Sequence, residues 1–286
     1  MLRWEGRKMD KSTVLTDIFH VPKPIIGMIH LHPLPGAPLY DPAKISVDDV
    51  IDIAVDEARK LELAGVDGLQ IENIWDYPYL KGASVGHETT AALAVAATKV
   101  AESVRIPMGV NCHLNAGMQS LAVATAVGAR WIRVFEWVNA YVSHAGITEG
   151  IGAELSRYRS SLKADDIRFF CDVNVKHGSH FIVSDRTIAE QAHDVETEGG
   201  EALIVTGFET GQPPTPEKVR ELTEHVSVPV LIGSGTTEHN VVRLLRYADG
   251  AIVGSYFKEG NNWKNPVDES IARAFMDVVR EYRENL

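Results

Sequence analysis

Short apolar runs alternate along this chain with longer stretches whose apolar positions recur every three or four residues, the signature of a repeating β-α unit. The apolar runs are Pro24–Leu31, Val66–Ile71, Pro107–Val110, Trp131–Phe135, Ile167–Val175, Ala202–Val205, Val228–Ile232 and Asp249–Val253. Helices are expected between and after them, at Val47–Leu63, His87–Val104, Met118–Val127 and Ala153–Leu162. Further helices should run from a Ser184 or Asp185 cap to Gly199–Gly200, from Pro216 onward, over Glu238–Tyr247 and over Val267–Glu284. The Val47 helix carries its own punctuation. Ser46 caps it, Asp48 and Asp49 complement its dipole, Val50, Ala54, Ala58 and Leu61 share one face, and Gly65 ends it. Eight such units match a (β/α)8 TIM barrel over residues 24–286 rather than an open doubly wound sheet. Residues 1–23, with Trp4 and Phe19, form an N-terminal arm or short helix packed on the body.

A barrel gathers the C-terminal ends of its strands on one face. His30, Glu72, Asn111, Arg133, Asp172, Asn174, Lys176, Thr206, Ser234 and Ser255 therefore converge. The last two strands stop at Gly233-Ser234-Gly235 and Gly254-Ser255. Near-absent side chains leave backbone N–H groups free to meet an anion, with Ser234, Thr236 and Ser255 adding hydroxyls, so these two stops form a phosphate site. Lys258 is a further cation near them. Lys176 follows Asp172 and Asn174 by period two and should point over the barrel mouth as an electrostatic partner, a base or a Schiff-base nucleophile. The plainer alternative is an ion pair with Asp172 or Glu72. Asp172 is the first general-base candidate and Glu72 the second, with His30 as acid/base or phosphate partner. Asn111, Asn174, Arg133 and Thr206 would bind and orient substrate. The long stretch Trp137–Gly152 reads as a lid or substrate loop.

His30-Leu31-His32 opens a competing possibility, a metal-dependent hydrolase with His177 as a ligand on the fifth strand. Against it, the sixth strand ends at Thr206-Gly207 without a histidine and the eighth at Gly254-Ser255 without an aspartate. No cofactor is expected, and a divalent metal enters only through this alternative.

Charge narrows the partners. A net charge of -11 repels nucleic-acid phosphates. No apolar run approaches the roughly 20 residues that cross a bilayer, and Met1–Lys11 lacks the apolar core of a signal peptide, so a soluble, cytoplasmic protein is expected. Cys112 and Cys171 sit inside apolar strands and read as buried thiols. The expected partner is a small phosphorylated molecule; association into a homo-oligomer is compatible with the sequence.

The ordered motifs add a resemblance. Gly27-Met28-Ile29-His30-Leu31 with Leu34-Pro35-Gly36, Glu72-Asn73, Gly109-Val110-Asn111 and Asp172-Val173-Asn174-Val175-Lys176-His177 are followed by Thr206-Gly207 with Thr210-Gly211, Ile232-Gly233-Ser234-Gly235 and Val253-Gly254-Ser255 with Phe257-Lys258. In that order they resemble the BtpA/SgcQ family, named after a protein linked to photosystem I biogenesis. The resemblance implies a TIM barrel similar in its closing strands to phosphate-binding barrels, acting either as an enzyme of sugar-phosphate metabolism or as a non-catalytic assembly or regulatory factor. Isomerase, epimerase or aldol-type chemistry is the enzymatic expectation. Two places depart from the family pattern. His113-Leu114-Asn115-Ala116 stands where Leu-Arg-Asn-Asp is usual, and Phe135 stands where an Asn is usual. Both fall on the third and fourth strands and bear on substrate identity.

Overall fold

The computed structural model describes residues 11–207 and 209–286. Trp4 and the rest of residues 1–10 lie outside them. Strands β1 (Ile25–His30), β2 (Gly68–Glu72), β3 (Met108–Asn111) and β4 (Trp131–Val134) are followed by a small antiparallel hairpin, β5 (Ala140–Ser143) and β6 (Gly146–Glu149). Strands β7 (Arg168–Val173), β8 (Ala202–Val205), β9 (Val230–Ile232) and β10 (Gly250–Val253) complete the set. The hairpin apart, the strands close into one parallel barrel in the order β1-β10-β9-β8-β7-β4-β3-β2. This is the expected (β/α)8 barrel.

Among the described residues eight helices follow the strands: α2 (Val47–Ala64), α3 (His87–Ser103), α4 (Gly117–Val127), α5 (Gly152–Leu162), α6 (Ile188–Thr197), α7 (Pro216–His225), α8 (Val241–Leu245) and α9 (Glu269–Glu284). Between barrel and helices lies the larger apolar cluster, to which α2 contributes the buried Val50, Ala54, Ala58 and Leu61. Ser46 and Asp49 form a reciprocal capping box, and Gly65 takes the left-handed turn at φ 92° that ends the helix. No described helix is long and apolar enough to cross a membrane.

The N-terminal segment has a definite place. Helix α1 (Lys11–Phe19) inserts Val14, Leu15, Ile18 and Phe19 into a second apolar cluster with Ile26, Met28, Trp131, Phe170, Ile204, Leu231 and Ile252, the inward-facing residues of the barrel. It plugs the N-terminal end. Gly109 is required beside this plug, because a Cβ there would lie 2.1 Å from the Trp131 indole, whose Nε1 donates to Gln70 Oε1 at 3.1 Å. The apolar filling leaves the opposite mouth as the end open to a ligand.

Three boundaries differ from the sequence expectation for physical reasons. Ser184 and Asp185 do not cap α6, because the chain first makes a 3-10 turn at Phe181–Val183. The cap is Thr187, which exchanges hydrogen bonds with Glu190 in a capping box. Thr187→Ala should therefore cost about 1 kcal/mol in chemical denaturation, while alanine at Ser184 or Asp185 changes little. Helix α8 is short because Asn240 is used elsewhere: its amide accepts from Thr237 N–H and donates to the Gly235 carbonyl, tying down the loop after β9. The stretch Trp137–Gly152 holds the β5–β6 hairpin, braced by a further bridge from Val142 to Ser179.

Candidate functional site

Alternation along the strands sets the composition of the open mouth. Two residues beyond the apolar plug, the inward positions carry His30, Glu72, Asn111, Arg133, Asp172, Thr206, Gly233 and Gly254. The side chains of the first six are buried. They have sorted into distinct sets.

Arg133 and Asp172 form one set. Arg133 Nε donates to Asp172 Oδ2 at 2.7 Å and Nη2 to Oδ1 at 2.9 Å, both residues being at most 4% exposed. This two-pronged geometry occupies both oxygens of the carboxylate. The register places Arg133 of β4 opposite Phe170 of β7, so Asp172 lies two residues further along the adjacent strand. Burial lowers the Arg133 pKa, and Asp172 more than restores it, leaving a fixed cation that lines the site. Asp172 is absent from the cavity lining. Beside it, burial and then the Asp172 charge push the Glu136 carboxyl up to about 9, a group that is protonated at neutral pH.

Glu72 forms the second set, held between two imidazoles. His30 Nε2 stands 3.6 Å from its Oε1 and His113 Nε2 3.6 Å from its Oε2, while Asn111 Nδ2 donates to Oε2 at 3.0 Å. Burial raises the Glu72 carboxyl, but His113 and Arg133 outweigh that and hold it below the usual carboxylate range. Burial, reinforced by the Lys258 charge, lowers His30 to about 3. His30 is thus neutral, and its Nδ1 meets the Trp263 carbonyl at 3.2 Å. A proton on Nδ1 leaves Nε2 as the acceptor toward the mouth.

Lys176 stands apart from both. The alternative reading, an ion pair with Asp172 or Glu72, is not formed: among the described residues no carboxylate lies within salt-bridge distance of its Nζ, and its backbone N–H donates to Thr206 Oγ1 at 3.0 Å. Burial, then the charge of Arg133, lowers its pKa to about 8. Period two did not place it. The strand ends at Val173, and Asn174 takes a left-handed φ of 54°. That turns the Asn174 amide out to Gln191, at 2.6 Å, and brings Val175 and Lys176 to the mouth together. Asn174, Thr206 and Asn111 hold other site residues or helices and do not line the cavities.

Two cavities meet at the mouth, sharing Glu72, Ile74, Arg133, Lys176 and Thr210 as a partition. The smaller holds about 50 Å³, several times the room one water needs, and is lined by His30, Gly233–Thr237 and Gly254–Tyr256. Its backbone N–H groups at Ser234, Gly235, Thr236, Gly254 and Ser255 donate to nothing within the described chain. Thr236 Oγ1 is buried without a partner. Gly235 adopts φ 69° against the Gln212–Pro213 backbone, where a Cβ would lie 2.1 Å from Pro213 N. The Ser234 hydroxyl donates to the Gln212 carbonyl at 2.7 Å and so shapes this loop, leaving the hydroxyls of Ser255 and Thr236 uncommitted. Lys258 does not reach the cavity. It is 1% exposed and pairs with Glu57 at 2.5 Å beneath α2.

The larger cavity, about 610 Å³, has a different lining, with Tyr77, Tyr79, Phe135, Tyr141 and Trp263 as its rings and His113, Leu114 and Val175 between them. The β5–β6 hairpin supplies Tyr141, Ser143 and His144 to this wall. Of these residues the sequence singles out His113, Leu114 and Phe135. The signal that pointed there was the pair of departures at His113-Leu114 and Phe135.

The histidine pair does not converge as metal ligands. His32 stacks on Trp75 at 5.1 Å, His30 faces Glu72, and His177 Nε2 meets Thr210 Oγ1 at 2.8 Å. Among the described residues no three His, Cys, Asp or Glu side chains are grouped to hold a metal ion. Burial raises both thiols, Cys112 to about 12, so neither is a thiolate nucleophile at neutral pH.

The fold and mouth define a (β/α)8 barrel protein with a polar cluster at the C-terminal ends of its strands. More specifically, residues 21–281 match the model of the BtpA family, and the chain belongs to that family. An uncharacterized protein of Thermococcus kodakarensis is 38% identical over 92% of this chain and 97% of its own length. The photosystem I biogenesis protein BtpA of Synechocystis is 32% identical over 93% of this chain and 91% of its own. Among solved structures, (S)-3-O-geranylgeranylglyceryl phosphate synthase from Thermoplasma acidophilum, in complex with sn-glycerol-1-phosphate, superposes with a TM-score of 0.59 at 14% identity, covering 96% of this chain and 99% of that one. N-(5'-phosphoribosyl)anthranilate isomerase from Pyrococcus furiosus gives 0.55 at 10%, over 91% and 99%. These likenesses show the barrel fold.

Proposed function

We propose that this protein is an enzyme that anchors a phosphorylated small molecule by its phosphate on the loops after β9 and β10 and moves a proton at a carbon beside a carbonyl. The observation that carries this reading is Lys176: a half-buried residue whose amine has no carboxylate within salt-bridge distance among the described residues, on the partition between a nest of N–H groups that donate to nothing in the described chain and a larger cavity. A base is most effective when its pKa lies near the working pH, and about 8 meets that requirement where Glu72, held low, does not. Lys176 Nζ, neutral, takes the α-proton; the C–H bonding pair moves to the carbonyl, whose oxygen becomes an enediolate oxygen. Arg133, locked by Asp172, faces that oxygen and stabilises it. When the adjacent hydroxyl's proton passes to the enediolate oxygen, return of the carbon-bound proton to the neighbouring carbon gives isomerisation; return to the opposite face of the original carbon gives epimerisation. An aldol cleavage passes through the same enediolate. Glu72 offsets the ammonium that Lys176 becomes, Asn111 fixes Glu72, and Thr206 fixes Lys176.

Two neighbours in fold carry phosphorylated compounds in their names, which supports a phosphorylated substrate for this barrel. The test separates anchoring from chemistry. Inorganic phosphate and sugar phosphates should raise the melting temperature of the wild type by mass action, and Ser255→Asp, which puts a carboxylate into the nest, should remove that shift. Wild-type protein in D2O should then exchange solvent deuterium into the α-position of phosphorylated aldehydes or ketones, followed by NMR. No thermal shift, or a shift unchanged in the Ser255→Asp variant, would overturn the anchor; binding without exchange would favour the assembly or regulatory role carried by the Synechocystis relative's name.

A further inference from the structure

We infer that the molecule held here carries a planar aromatic or heteroaromatic ring at the end opposite its phosphate, seated in the larger cavity; this rests on the phosphate anchor proposed above and extends it to a substrate class. The two cavities share one wall, so a single ligand can lie across Glu72, Arg133 and Lys176 with its ends in different surroundings. The phosphate nest is polar and holds about 50 Å³, whereas the space beyond the partition is about 610 Å³. A triose or pentose phosphate would fill the first and leave most of the second to solvent.

The chemistry of the wall decides what fills it. A sugar's hydroxyls need hydrogen-bond partners, and each one left unpaired on binding costs affinity. Beyond the shared partition, with Ser143, His144 and His177 as its other polar side chains, this wall offers mainly ring faces. Tyr79 donates its hydroxyl to the Ile74 carbonyl at 2.7 Å, so it presents its ring to the cavity. Tyr79 stacks on His113 at 4.7 Å, and Phe135 meets the same imidazole edge-on at 5.0 Å. Both His113 ring nitrogens lack a hydrogen-bond partner among the described residues. On the other side Tyr141, 2% exposed, is backed by His180 at 5.2 Å, and Trp263 closes the remaining edge. Rings arranged in stacks and edges are preorganised to extend the stack by one more planar group, a contact that is strong and tolerant of ring identity. The compound that fits has three parts: a phosphate, a short polar carbon chain over the proton-transfer groups, and a ring.

Calorimetric titration of the full-length protein with inorganic phosphate, ribose 5-phosphate, adenosine 5'-monophosphate, 1-naphthyl phosphate and geranyl phosphate tests this. At least one of the two ring-bearing esters should bind about tenfold more tightly than ribose 5-phosphate, the gain expected from one good stacking contact. Tyr79→Leu and Trp263→Leu, both half-buried positions, should each remove most of that gain while keeping wild-type affinity for inorganic phosphate, which also shows that they fold. Ribose 5-phosphate binding as tightly as both ring-bearing esters would overturn the ring and leave the phosphate anchor standing. Geranyl phosphate gaining as much as the aromatic esters, or a gain that survives in both variants, would overturn it as well. Failure of every phosphate compound to bind would remove the anchor and this inference together.

Discussion

Asp172→Ala should destabilise the protein by about 3–5 kcal/mol, measured by urea unfolding at neutral pH, because it strands a buried guanidinium. Arg133 is 4% exposed, and Asp172 accepts from two of its nitrogens. Glu72 is the other carboxylate acting on it, and that group is already shared by His30, His113 and Asn111. Removing one partner of such a pair costs more than removing both. Arg133→Met combined with Asp172→Leu should therefore recover a large part of the loss, and the double-mutant cycle should give a strong coupling. A loss below about 1 kcal/mol in Asp172→Ala would show that the fork is not an anchor. Asp172→Asn makes the catalytic distinction. If Asp172 only holds Arg133, stability and proton exchange fall together as the guanidinium loses its seat. An Asp172→Asn protein that unfolds like the wild type yet has lost exchange would return Asp172 to the role of general base.

That distinction was out of reach of the sequence, while the barrel was within it. Strand alternation carries from Ile26 and Met28 to His30, from Trp131 to Arg133 and from Phe170 to Asp172, so the polar mouth follows from counting by twos beyond apolar residues. Which mouth residues touch depends on register between strands that a hairpin separates in the chain, as β4 and β7 are, and periodicity holds no information about register. For Lys176 the pattern gives the right place by an incomplete reason. Counting by twos from Asp172 fails at Asn174, whose left-handed backbone ends the strand, yet the same turn delivers Lys176 to the mouth. The glycine stops of β9 and β10 were legible as a nest because their lack of side chains is itself the signal. Ser234 was assigned to the ligand, and only the fold shows its hydroxyl spent on Gln212. The aromatic chamber was least legible, since its rings come from the loops after β2, β4 and β10 and from the hairpin, segments with no shared period. His113 and Phe135, the two departures from the family pattern, both lie on its wall.

Lys176→Met and Lys176→Arg should each lower the proton-exchange rate by about 10²–10⁴-fold, the usual contribution of a positioned base. Arginine separates the possible roles of the lysine. It keeps the positive charge beside Glu72 but cannot lose its proton near neutral pH, so a purely electrostatic Lys176 would be largely replaced by it and a basic one would not. The pH dependence gives an independent reading. A base is active when unprotonated, so the wild-type rate should rise as pH passes through about 8 and level off above it. The same shift has a consequence for stability. The folded-state pKa lies below the ordinary lysine value of 10.5, so between about 8 and 10.5 the unfolded chain binds more protons at this residue than the folded one. Its contribution to stability therefore rises with pH across that window, and the rise should be missing from Lys176→Met. A Lys176→Arg enzyme exchanging within about tenfold of wild type, with a rate flat from pH 7 to 9, would show that the amine supplies only charge. The proton would then have to leave by His30 or Glu72, both held far below neutrality in this site.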